Sequence, residues 1–212
     1  MDENDVRESI RRSLMADLQA VDPLPTDRVL AVGVQLTAAV GIGGFLAAMG
    51  LRGWRLMSLP QTLALGALAV ASAACLAVAF VRTIRPGAPP PPVRIEAVVG
   101  ALCIGFPIVC GVMFPLSPAQ DSLYNGLLCL GMGSLLTIGS CWALFRIARR
   151  GVILDGVRAG AAIGALSGVI SAVALQAFCP HQDATHLAIW HGLVIAMSIA
   201  VGMLAGRKAV ID

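Results

Sequence analysis

The sequence predicts an all-α, polytopic membrane protein with six transmembrane helices, both termini cytoplasmic, and a short amphipathic helix ahead of the first span. Three observations predict it. The 212 residues are 58% hydrophobic and only 13% charged, whereas a soluble domain averages about 45–50% and about 25%. Six stretches carry no charged residue, and each is close to the about 20 residues that cross about 30 Å of hydrocarbon. The basic residues, finally, concentrate in alternate loops. Disorder is excluded by the high hydrophobicity, and a membrane β-barrel by the lack of alternating patterning.

The spans run over 29–51, 60–81, 97–116, 123–145, 159–178 and 187–206. Backbone groups cannot stay unpaired in lipid, so each is expected to be helical. Arg7, Arg11, Arg12 and Arg28 precede the first span. Arg82, Arg85 and Arg94 follow the second, Arg146, Arg149, Arg150 and Arg158 follow the fourth, and Arg207 and Lys208 close the chain. Thirteen of the fifteen basic residues thus fall on one side, and only Arg52 and Arg55 on the other. The positive-inside rule puts the larger group in the cytoplasm. The chain divides into a cytoplasmic segment 1–28, a six-helix body 29–206 and a tail 207–212. No cleavable signal peptide is expected, because the first 28 residues are polar. The proline run at 86–92 reads as a stiff inner linker. Gly160, Gly164 and Gly168 share one face of the fifth span, where small residues let helices approach closely.

Residues 3–21 form the amphipathic element. Val6, Ile10, Leu14, Leu18 and Val21 make one apolar stripe at helical spacing. Asp2 or Asn4 could cap its start, and Pro23 and Pro25 end it. A helix this short is marginal alone in water, so the stripe needs a surface to cover it. Three surfaces are open: membrane lipid, the chain's own inner loops, and the groove of a soluble partner. Glu3, Asp5, Glu8 and Asp17 weigh against an anionic lipid surface.

The six cysteines all lie at or in the spans. Cys75, Cys103 and Cys141 fall in the inner half and read as packing residues. Cys110, Cys129 and Cys179 fall in the outer half, and all three histidines share that side. His181 and His186 are in the last outer loop, and His191 is one turn into the sixth span. Thiolates and imidazoles together suit Cu(I), Zn or another thiophilic metal ion. They equally suit thiol oxidation on a face that meets an oxidising compartment. The bland alternatives are that His181 and His186 are solvated, and that His191 bonds to Gln176 or Asn125. No resident cofactor is implied.

Other chemistry is missing from the pattern. There is no phosphate-binding glycine loop, no His-Glu-x-x-His and no Ser-x-x-Lys. No carboxylate lies within the spans, which argues against a proton-coupled transporter or an intramembrane aspartyl protease. Nothing supports direct nucleic-acid binding, and no constellation suggests an enzyme.

The order of features resembles the NrsF-type bacterial anti-sigma factors, negative regulators of the extracytoplasmic-function sigma factor SigF. The resemblance lies in the striped helix ending Val21-Asp22-Pro23-Leu24, the six spans, and a cysteine in the outer part of span four. It lies most specifically in Cys179-Pro180-His181 followed by Trp190-His191-Gly192. It implies a protein of the bacterial inner membrane whose N-terminal segment holds a sigma factor, here through Val6, Ile10, Leu14, Leu18 and Val21. It also implies release on metal or oxidative stress, sensed through Cys129 and Cys179. His181 and His191 are candidate helpers, with His186 and Cys110 behind them. The competing expectation is a small membrane metal-binding or redox protein without a soluble partner. A third is a structural subunit of a membrane complex.

Overall fold

The computed structural model describes residues 3–17, 26–85, 87, 92–116, 123–153 and 155–209. Among them every regular element is helical. The short helix α1 (Glu3–Asp17) comes first. The spans are α2 (Asp27–Met49), α3 (Leu59–Thr83), α4 (Ile95–Met113), α5 (Leu123–Ala148) and α6 (Gly156–Phe178). The last span is composite: α7 (Ala184–His186), a π-helical turn (Leu187–His191) and α8 (Gly192–Ala209). Among the described residues, six helices are thus long and apolar enough to cross a membrane.

The helices run past their charge-free stretches at the charged ends, whereas α2 stops at Met49 and α4 at Met113, short of Leu51 and Leu116. Asp27 and Arg28 open α2, and Arg82 lies in the last turn of α3. Glu96 opens α4, and Arg146 lies in the last turn of α5. Apolar length fixes what sits in hydrocarbon, whereas backbone hydrogen bonding and caps fix where the helix ends. The caps are local and readable. Thr26 accepts from the Val29 amide. Ser58 and Gln61 form a capping box ahead of α3. Asp155 accepts from the Arg158 amide at 3.0 Å. Ion pairs gather at the arginine-rich end. Arg85 pairs with Asp27, and Arg158 reaches Glu96 at 2.9 Å and Asp155 at 3.5 Å.

Helix α6 is the centre of the bundle. In its most apolar stretch 89% of residues are buried, against 11% in α2. The expected close approach at Gly160, Gly164 and Gly168 is present, and its partner is α8. A Cβ at Gly164 would overlap the Ser198 carbonyl oxygen, and one at Gly160 would overlap that of Gly202. From the other side, a Cβ at Gly206 would overlap the carbonyl oxygen of Gly156. The two backbones therefore touch along a seam where side chains have no room. Thr137 and Ser171 pair inside the bundle at 2.8 Å between α5 and α6.

Helix α1 lies near its expected place, with Val6 half-buried and Ile10 55% exposed. Leu14 is described in its backbone only. Leu18, Val21, Pro23 and Pro25 lie outside the described residues, as does most of the proline run.

Candidate functional site

At the end of the bundle opposite the arginine cluster, three chain segments meet. Helix α5 brings Cys129 on its buried face. Helix α6 ends with Cys179 as its C-cap, and the Cys179 amide donates to the Leu175 carbonyl at 2.6 Å. The chain then turns through Pro180 to Asp183. The Asp183 carboxylate accepts from the His186 amide at 2.8 Å and so starts α7. The Ala184 amide donates to the Pro115 carbonyl at 3.0 Å, which ties this start to the end of α4.

The donor atoms converge. Cys129 Sγ lies 3.5 Å from Cys179 Sγ. Cys179 Sγ lies 3.4 Å from His186 Nε2. The His186 and His191 rings meet nearly edge-on, with centroids 5.6 Å apart and planes at 76°. One ligand atom from each of Cys129, Cys179, His186 and His191 lies within 4.8 Å of the others, and all four residues are buried. Both histidines and Cys179 are fully buried, and Cys129 is 6% exposed.

The π turn makes this possible. On a straight α-helix, residues five apart point about 140° away from each other. From Leu187 to His191 the helix widens, and the Gly192 amide donates to the Leu187 carbonyl. A five-residue turn stacks His191 over His186 and brings both rings to the thiols. Such π turns recur at functional sites.

Two glycines let neighbouring segments close around the cluster. Gly126 lies one turn before Cys129, and a Cβ there would overlap the Trp190 indole. Gly53, between α2 and α3, donates its amide to the Phe178 carbonyl at 3.2 Å. A Cβ on Gly53 would overlap the carbonyl oxygens of Cys179 and Gln176. The Gln182 amide nitrogen donates to the Cys179 carbonyl at 2.7 Å, and the Gln176 amide nitrogen donates to Gln182. The thiol end of α6 is thus held by backbone and amide contacts on its open side.

Of the residues singled out by sequence, Cys129, Cys179 and His191 come together, and His186 joins them as a full member. His181 stays outside the set of four. It offers its backbone carbonyl to Cys179 Sγ at 3.8 Å, and its half-buried ring lies on His186 with centroids 5.2 Å apart. Cys110 is fully buried in the apolar core, outside that set too. Cys75 and Cys141 are half-buried and Cys103 is exposed. A pair of histidines five apart carries no periodic signal for a helical ligand pair, which is why spacing alone does not promote His186.

Comparison with known protein families gives a match over nearly the whole chain. A family model described as NrsF, negative regulator of sigma F, covers residues 14–210. No curated protein and no solved structure matches the chain. The family match begins inside α1, so Leu14, Leu18 and Val21 lie within it and Val6 and Ile10 ahead of it.

Proposed function

This chain belongs to the NrsF family of negative regulators of sigma F, and from that premise we propose that it is an inner-membrane anti-sigma factor with a chemical sensor on its periplasmic face. The family implies a sigma factor as partner. The finer reading is that this sigma factor is of the extracytoplasmic-function type. The α1 stripe of Val6, Ile10, Leu14, Leu18 and Val21 receives it, and an amphipathic helix in a partner's groove is a common recognition mode. Exposed Ile10 is available for such a contact. Both termini are cytoplasmic in this reading, supported by the thirteen basic residues at the arginine-rich end.

At rest the helix keeps the sigma factor from core RNA polymerase. The signal is a thiophilic metal or an oxidant that engages Cys129 and Cys179. The observation that carries this reading is the 3.5 Å approach of two buried sulfurs from α5 and α6 at the end opposite the main arginine cluster. Engagement there changes how α5, α6 and the sixth span pack, and the change is read at the cytoplasmic ends. A hundredfold fall in sigma affinity corresponds to about 2.8 kcal/mol of coupling. A metal–thiolate or disulfide contact made in only one state is strong enough to supply it.

The test is capture of the sigma factor from solubilised membranes. The full chain is expected to retain it, and a chain lacking residues 1–25 is expected to retain at least about 100-fold less. Equal capture by both would move the partner surface elsewhere. Capture by neither would favour the second reading, a membrane metal-binding or redox protein without a soluble partner, for which the buried Cys/His cluster is the supporting feature.

A further inference from the structure

We infer that Cys129, Cys179, His186 and His191 form a closed, four-coordinate site for a divalent d10 cation of the Zn2+ type. This deepens the sensing reading above and rests on it for its regulatory meaning. The geometry comes first. Zn–S bonds of about 2.3 Å and Zn–N bonds of about 2.0–2.1 Å at tetrahedral angles set neighbouring donors about 3.4–3.8 Å apart. The observed Cys129–Cys179 and Cys179–His186 separations are 3.5 and 3.4 Å. All four donors already lie within 4.8 Å of one another, so small side-chain adjustments close the shell.

The donor set then selects the ion. Two sulfurs and two imidazole nitrogens suit tetrahedral, thiophilic cations and offer nothing to Mg2+ or Ca2+, which take oxygen ligands. The neighbouring oxygen donors are engaged elsewhere, Asp183 on the His186 amide and Gln182 with Gln176. Charge narrows the choice further. Two thiolates with two neutral imidazoles carry two negative charges, which a divalent ion cancels. A monovalent ion such as Cu+ would leave a net charge in a buried site, at considerable cost. Four protein donors leave no position for water or substrate, which is the pattern of a structural or regulatory site.

The set also separates two signals. A disulfide between Cys129 and Cys179 joins α5 to the end of α6 only. A cation held by all four joins both to the start of the sixth span as well. His186 and His191 therefore serve the metal response and are dispensable for the oxidant response.

The experiment uses the full chain in lipid nanodiscs, without oxygen, with Co2+ as spectroscopic probe and Zn2+ as competitor. The expected result is one Co2+ per chain with intense tetrahedral visible bands and a thiolate-to-cobalt charge-transfer band, all lost on adding one equivalent of Zn2+. His186→Ala and His191→Ala should each weaken Zn2+ binding about 100-fold or more, since even losing a ligand's outer hydrogen-bond partner costs about 10–100-fold. His181→Ala should change it little. Weak six-coordinate bands, a missing sulfur band, or Cu+ binding where Zn2+ does not would overturn the inference. So would unchanged Zn2+ affinity in both histidine variants. The wild-type spectrum reads the donor set directly, so the inference stays exposed even if a variant fails to fold. A chain with this Zn2+ site that captures no sigma factor refutes the anti-sigma reading and leaves the site. A chain that releases sigma factor to oxidant but binds no Zn2+ when it is supplied refutes the site and leaves the reading.

Discussion

With Cys129 and Cys179 both replaced by serine, the protein is expected to repress its sigma factor as fully as wild type and to respond to neither metal nor oxidant. Serine is nearly isosteric with cysteine, so the packing of α5 against the end of α6 survives. The hydroxyl is a poor ligand for soft cations and cannot form a disulfide, so both routes to the signal close together. Each sulfur is buried, which leaves little room for a compensating ligand from solvent. A reporter behind a sigma-dependent promoter measures the outcome. The double variant should sit at the uninduced level under every stress. Normal induction in it would remove the outer thiols from the sensing step. Constitutive expression would show instead that the thiols hold the resting state together.

The second large effect is on stability. Gly164→Leu is expected to cost about 3 kcal/mol or more, because inserting side-chain volume into a packed contact typically costs about 1–3 kcal/mol even where neighbours are side chains. Here the obstacle is backbone, the Ser198 carbonyl of α8, which cannot rotate away. Gly139→Ala on α5 is the control. Nothing lies within 4 Å of its Cβ position, and the change should be neutral or stabilising by up to about 1 kcal/mol. Unfolding of the purified protein by titrated denaturing detergent compares the two. Similar stability for both would mean that the α6–α8 seam can open without penalty.

Most of the architecture is legible in the residues because hydropathy dominates in a bilayer. The stretch 29–51 became α2 (Asp27–Met49), and 123–145 became α5 (Leu123–Ala148). Helices gain residues at charged ends such as Asp27 and Arg146, where hydrogen bonding carries the helix past the hydrocarbon, and α2 stops early at Met49, where Gly50 with φ 85° caps it. The central position of α6 was less legible. Its glycine face was visible, but the matching row of Ser198, Gly202 and Gly206 reads as ordinary small residues until the two backbones are seen in contact.

At the site, Cys129 and Cys179 came from family resemblance, and their approach depends on tertiary packing that spacing does not encode. Sequence alone puts His181 and His191 ahead of His186, through the Cys179-Pro180-His181 and Trp190-His191 motifs. The structure orders them by a backbone event, the π turn at Leu187–His191. A shift of hydrogen-bond register leaves no composition signature. Its consequence is that His186 and His191, five apart, share a face while His181 stays outside the set of four.

The burial of α6 also decides what the molecule ignores. Membranes thin, thicken and change fluidity with temperature and diet, and spans that face the acyl chains tilt to follow. Helix α2, with 11% of its apolar stretch buried, meets that disturbance; α6, at 89%, is jacketed by its neighbours. Cys179 therefore sits at the end of the described span with the largest buried share, less open to changes in bilayer thickness than Cys129 on α5, whose apolar stretch is 28% buried.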